Sequence, residues 1–251
     1  MHINKFQGIV REKLGPGGLL DEKGRVLYSS VHSLREWRTG VYVLGLDPGG
    51  TPDDHKSIGD DIQRNEMNER GYCALTKERW NKCEMGEHPY QQHALQALDL
   101  LGYHTEKDDI PISNAIFSAQ PDARRLRQHP RFLDFKAACW EVHKKLLEVI
   151  RPKLILCLGC SETLSSFSLV KEWSNDTYQQ IDIQGQGERQ TASGGKFGSV
   201  KFNFLEDRTF LIGIKHPSYI RSRELPVEMR IQLARARELG MGKSPLGSRL
   251  A

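Results

Sequence analysis

The chain has no uninterrupted apolar run approaching the roughly 18 residues that a membrane helix needs, so no spanning segment is expected. Its cysteines are few and odd in number, at Cys73, Cys83, Cys139, Cys157 and Cys160. They lack the dense, even spacing of a secreted disulfide scaffold, so reduced thiols in a cytosolic protein are the expectation. The first ten residues mix His2, Lys5 and Gln7 among few apolar ones, and no secretory leader is expected. Neither sign of charge dominates: a formal net charge of +4 merely permits a polyanionic partner. Internal repeats are absent as well. What is present is 38% hydrophobic and 27% charged content over 251 residues, enough to bury the core of one large α/β domain with extensions.

Four runs read as strands on their β-branched and aliphatic content, at 41–46, 110–114, 153–158 and 210–215. Their nearly continuous apolarity predicts that both faces are covered, as in a parallel sheet flanked by helices. Helical patterns do lie between them. Residues 91–101 place Ala94, Leu95, Ala97, Leu98 and Leu101 on one face and stop at Gly102. Residues 132–150 carry the stripe Phe135, Ala138, Cys139, Val142, Leu146 and Val149 before Pro152. A shorter helix is predicted at 161–170 and a final one at 227–239, with Arg230, Arg235 and Arg237 outward. Residues 1–38 read as an N-terminal extension, 39–240 as the domain, and 241–251 as a flexible tail. Within the domain, residues 171–208 contain Gly185, Gly187, Gly194, Gly195 and Gly198 and read as an inserted hairpin or flap.

Two of the strands end in polar, reactive side chains. Val41-Tyr42-Val43-Leu44 runs into Gly45-Leu46-Asp47-Pro48-Gly49-Gly50, and Phe210-Leu211-Ile212-Gly213-Ile214 is followed closely by His216-Pro217-Ser218. The carboxyl ends of strands in an open α/β sheet are where ligands bind, so an acid and an imidazole distant in sequence are expected to face one cavity. Taken singly, Asp-Pro-Gly and His-Pro-Ser are ordinary turns, and Asn114 at the end of the second strand is an ordinary cap. Their ordered occurrence, with Asn114-Ala115 and the segment at 150–159 (Ile-Arg-Pro-Lys-Leu-Ile-Leu-Cys-Leu-Gly), resembles the uracil-DNA glycosylase superfamily. The resemblance covers roughly residues 41–223. It implies a three-layer αβα sandwich around a central four-stranded parallel sheet, and excision of a base from DNA.

The chemistry can be argued from the residues themselves. Cleaving a pyrimidine N-glycosidic bond requires support for a sugar turning cationic, a base turning anionic at O2, and a water on the opposite sugar face. Asp47 is expected to serve the sugar and the water, His216 to donate to the developing oxyanion, and Asn114 to read the pyrimidine edge with its paired donor and acceptor. The resemblance implies the same three roles. Where uracil-specific members place a bulky tyrosine after the Asp-Pro pair, this chain has Gly49 and Gly50. A pocket open to a 5-substituted pyrimidine as well as uracil is expected, in repair or in defence against phages with modified DNA. Tyr72, or alternatively Phe117, is the expected aromatic wall for the flipped base.

Arg124, Arg125 and Arg127, with Arg221 and Arg223, are expected to contact phosphates, and Ser218 to grip one of them. Tyr219 and Ile220 occupy the loop expected to wedge into the base stack. Cys139 has a context like an iron-sulfur ligand, but the upstream cysteine pair is missing, and no cofactor is expected. Cys157 and Cys160 read as core packing. Cys73, Cys83, His88 and His93 form a weak candidate zinc site whose spacing matches no common finger. A monomeric, monofunctional glycosylase acting on DNA is the leading expectation, although Lys215 lies near enough to His216 to be noted for lyase chemistry. A non-catalytic module that recognises a modified base is the alternative.

Overall fold

The apolar runs do become the centre of a sheet. The computed structural model describes residues 1–34, 40–175, 177–183 and 195–242. Its strands are β1 (Val41–Gly45), β2 (Ile112–Asn114), β3 (Leu154–Leu158), β4 (Gln179–Gln180), β5 (Lys196–Val200) and β6 (Thr209–Ile214). The helices among the described residues are α1 (Ile3–Leu14), α2 (Ile58–Asp61), α3 (Ala74–Lys77), α4 (Pro89–Leu100), α5 (Ala123–Gln128), α6 (Phe132–Ile150), α7 (Ser166–Trp173) and α8 (Val227–Glu238). Among these residues no helix is long and apolar enough to cross a membrane.

The fold is α/β, but the expectation of a sheet of four parallel strands is corrected. The order is β2-β1-β3-β6-β5-β4, in which the first four are parallel and β5 and β4 add antiparallel to the β6 edge. Part of the predicted insertion is therefore sheet. Lys196-Phe197-Gly198-Ser199-Val200 is short and broken by a glycine, so it lacks the β-branched run that marks its neighbours, and pairing with β6 supplies what local propensity does not. Gly185, Gly187 and Gly194, together with 243–251 of the predicted tail, lie outside the described residues.

Alternation along β1 shows how both faces are covered. Tyr42 and Leu44 enter one core with Phe6, Val10 and Leu14 of α1, Phe135 and Val142 of α6, and Phe167 of α7. Val41 and Val43 enter the other with Ala94 and Leu98 of α4 and Met229 and Leu233 of α8. Helix α6 stops where Arg151 turns to φ 45°, its N–H bonding Leu147 O at 2.8 Å, and Pro152 cannot continue the helix.

Residues 1–34 pack into the same body. The i, i+4, i+8 stripe of α1 is fully buried against α6, and residues 24–29 run antiparallel along the free edge of β2. Arg25 N donates to Phe117 O and Tyr28 N to Ile112 O, each at 2.9 Å, which covers an otherwise open sheet edge. The same run brings Arg25 and Tyr28 to the carboxyl end of the sheet.

Candidate active site

Three strand ends build the site. Asn114 closes β2 in register with Gly45 at the end of β1, Asp47 follows two residues later, and His216 follows β6. Gly45 has to lack a side chain, because a Cβ there would sit 2.3 Å from Asn114 Oδ1 and 3.1 Å from the Tyr90 hydroxyl. The Asn114 amide and the Tyr90 phenol thus lie across the end of β1. Beyond it, Gly49 and Gly50 turn the chain at φ 66° and 74°, and the space beside Gly49 is empty to 4 Å.

The polar groups here are held but not saturated. Asp47 is half-buried; burial raises its carboxyl to about 7 against the lowering effect of the Gln120 N–H. Its Oδ2 is buried without a hydrogen-bond partner, and so is Nδ2 of Asn114, a residue only 4% exposed. Buried polar atoms are nearly always paired, so two orphans at neighbouring strand ends mark where a ligand would supply the missing bonds. The Asn114 backbone, by contrast, is fixed. His143 Nε2 donates to Asn114 O at 2.9 Å while its Nδ1 accepts from the Tyr42 hydroxyl at 2.9 Å, and burial holds this imidazole neutral by lowering it to about 4.

His216 is likewise poised as a neutral donor. Burial lowers it to about 4, and its Nδ1 accepts from Ser218 N at 3.3 Å, which leaves the proton on Nε2. Nε2 has no hydrogen-bond partner among the described residues. Tyr90 neighbours both the imidazole and the acid. Its ring meets His216 edge-on at 5.4 Å and lies within electrostatic reach of Asp47, whose charge helps to raise the phenol.

An aromatic wall is present, but it is made from other residues than expected. Trp80 packs on Tyr90 at 5.6 Å and edge-on to Tyr28 at 5.8 Å, and the Tyr28 hydroxyl lies against the Asn114 amide and 3.5 Å from Pro48 O. Behind this wall Arg25 lies over the Tyr28 ring at 4.1 Å and forks onto Glu78 at 2.6 and 2.8 Å; Glu78 in turn accepts from the Trp80 indole at 3.0 Å. Burial opposes the Glu78 charge, yet the Arg25 contacts, with Tyr72 and Trp80, hold its carboxyl down to about 2. No local pattern marks Tyr28 or Trp80, because distant segments bring them together. Tyr90 is hidden in the same way, since no strand adjoins Pro89-Tyr90 in the chain.

Several expected site residues are corrected. Tyr72 is 6% exposed, and its hydroxyl is bound to Glu78 and Arg25, so it supports the wall from behind. Phe117 is 0% exposed and packs on the His143 ring at 5.2 Å; no base can reach it. Ile220 is buried at 7% in the core shared by α4 and α8 and cannot wedge into DNA, whereas Tyr219 is 70% exposed and free to do so. The zinc candidates do not converge: no group of three potential ligands occurs among the described residues. His88 caps α4 through Tyr90 N, His93 lies between two backbone carbonyls, and Cys73 is buried at the start of α3. Cys139 and Cys157 are core residues.

The basic residues stay at the surface. Arg124, Arg125 and Arg127 are exposed on α5, which follows the Gln120 segment that touches Asp47, and Arg221 and Arg223 are exposed beyond His216. None of the five is in an ion pair with a described residue, and Ser218 is exposed beside them. No protein-family model matches the chain, and no curated protein matches it significantly.

Proposed function

We propose that this protein is a DNA glycosylase that hydrolyses the N-glycosidic bond of a flipped uracil or 5-substituted pyrimidine and leaves an abasic site. The observation that carries the reading is the pair of orphaned buried atoms, Asp47 Oδ2 and Asn114 Nδ2, at adjacent strand ends beside a neutral His216 with a free Nε2 proton. In this reading Asn114 donates to the base edge, the donor at His216 Nε2 supports charge growing on O2, and the Asp47 carboxylate faces the sugar and orients water. The half-buried rings of Trp80 and Tyr90 flank the base, and the empty space beside Gly49 accommodates a 5-substituent. The exposed arginines on α5 and after His216 take the phosphates, with Tyr219 as the wedge.

Helices on both faces of the sheet support the three-layer arrangement that the resemblance implies. Strands β5 and β4 join the β6 edge of the sheet, remote from β1 and β2. Repair or defence against modified phage DNA would both use this chemistry.

The test is incubation with duplex and single-stranded DNA carrying uracil, thymine mismatches or hypermodified pyrimidines, followed by alkali to reveal abasic sites. Wild type is expected to produce them, and Asp47→Asn to lower the single-turnover rate about 10³-fold. Equal cleavage by Asp47→Asn, or binding of a modified base without any release, would overturn the reading; the second result would favour a recognition module.

A further inference from the structure

The segment that carries His216 and Tyr219 has little of its own to hold it. Between residues 216 and 225 only Pro217, Ile220 and Leu225 are buried, and the internal backbone bonds are those of one short turn, Tyr219 N to His216 O and Ile220 N to Pro217 O. Four further backbone groups of the segment, Pro217 O, Ser222 O, Arg223 O and Leu225 N, face α4. His93, fully buried, places Nδ1 3.2 Å from Pro217 O and Nε2 2.8 Å from Ser222 O. A carbonyl oxygen only accepts, so the ring is the donor, through Nε2 at the shorter contact when it is neutral. One turn further along, Gln96 donates Nε2 to Arg223 O at 2.9 Å and accepts from Leu225 N at 2.9 Å. One turn earlier, Tyr90 meets the His216 ring. Residues 90, 93 and 96 are spaced i, i+3, i+6 and form one stripe of the helix.

We infer that His93 and Gln96 are positioning residues that fasten residues 222–225, which follow the His216 turn, to α4, so that the His216 imidazole and the exposed Tyr219 are presented to DNA as one rigid unit. The catalytic part of this rests on the glycosylase reading; the fastening itself does not. Three features distinguish it from generic packing. Both side chains spend their hydrogen bonds on backbone groups of this one segment, the segment carries two of the residues assigned to DNA, and the helix that grips it also supplies Tyr90 to the site. Precise placement is where such support acts, since a displacement of an ångström at a reacting group lowers rates by roughly 100-fold. His93 thus has a role in which a metal plays no part.

The experiment measures backbone amide hydrogen exchange in the full chain for His93→Leu, His93→Gln and Gln96→Leu, with Gln7→Leu as a control that removes a side-chain bond to Ile62 O far along the chain. Exchange at Tyr219, Ile220 and Leu225 is expected to accelerate about tenfold or more in His93→Leu and Gln96→Leu, with Ile155 and Cys157 of β3 unchanged. His93→Gln, which keeps one donor, should recover part of the protection. On a uracil-containing duplex, single-turnover release should fall roughly 10- to 100-fold while the DNA dissociation constant moves less than about threefold. Exchange unchanged in 216–225, or raised equally in β3 and in Gln7→Leu, overturns the fastening. If wild type releases no base from any substrate, the glycosylase reading fails while the exchange result still decides the role of α4.

Discussion

Three turns in this protein share one local geometry and do different things. At His88-Pro89-Tyr90, His129-Pro130-Arg131 and His216-Pro217-Ser218 the imidazole Nδ1 accepts from the backbone N–H two residues on, at 3.3, 3.2 and 3.3 Å. The proline, lacking an N–H, follows the capping histidine where no donor is needed. What differs is the other face of each ring. His129 packs edge-on against Phe135, His88 is engaged by the Asn81 amide and the Trp80 ring, and His216 faces Tyr90 with Nε2 free. A His-Pro dipeptide is therefore a way of starting a helical turn, and what the remaining nitrogen meets differs at each.

Replacing the three histidines tests this directly. His216→Ala is expected to lower single-turnover base release by about 10²- to 10³-fold, the loss typical of one oxyanion donor. His129→Ala should leave release within about threefold of wild type and cost about 1 kcal/mol of stability in urea, as for a lost cap. Comparable loss of activity from both would mean that the three turns do not differ as described.

The pH dependence sharpens the contrast between His216 and Asp47, the acid proposed to act with it. Burial raises Asp47 to about 7 and lowers His216 to about 4, so the carboxylate and the neutral imidazole coexist above pH 7. The rate constant kcat/KM should rise through about pH 7 and then stay level, with no alkaline fall from His216. The contribution of Asp47 to stability should move the opposite way. The folded state keeps the Asp47 proton to higher pH than the unfolded chain, so its contribution worsens from about pH 4 to about pH 7. Asp47→Asn is expected to be more stable than wild type at pH 8, on the order of 2 kcal/mol after allowance for partial exposure, and to converge with it below pH 4. A urea titration at both pH values checks this.

Within the His216 segment the two residues expected to wedge into DNA separate by burial. Tyr219→Ala should weaken binding to a duplex about tenfold without changing the melting temperature, consistent with loss of a stacking or wedging ring. Ile220→Ala should instead destabilise the fold by about 2 kcal/mol or more and affect DNA only through that loss.

A second contrast lies on either side of Tyr28. Arg25, Glu78, Tyr72 and Trp80 form a network in which each group has partners, whereas Asp47 and Asn114 each retain a buried atom without one. Satisfied networks of this kind specify shape; unsatisfied atoms at a strand end leave bonds to be made. The N-terminal segment belongs to the first kind, since it carries Arg25 and Tyr28 along the β2 edge to back the aromatic wall.

Much of this architecture was legible beforehand. The strands at β1, β2, β3 and β6 are marked by nearly continuous apolar runs, and α4 and α6 by their 3.6-residue stripes, since burial on both sheet faces leaves that mark on composition. Asp47, Asn114 and His216 were legible because each follows such a run within a few residues. Helix α1 was not, its three buried side chains being spaced among charged and polar ones, and β5 was hidden by its brevity and its glycine. The aromatic wall was hidden for a different reason, since Tyr28, Trp80 and Tyr90 come from three segments that only packing unites.

Local sequence set the backbone of each His-Pro turn, because proline chemistry and a cap two residues away involve only neighbours in the chain. Which imidazole kept a free nitrogen depended on residues up to 126 positions away, as between Tyr90 and His216. Desolvation is a property of everything packed around a group, so the shifts at Asp47 and His216 arise only when the chain has closed on itself.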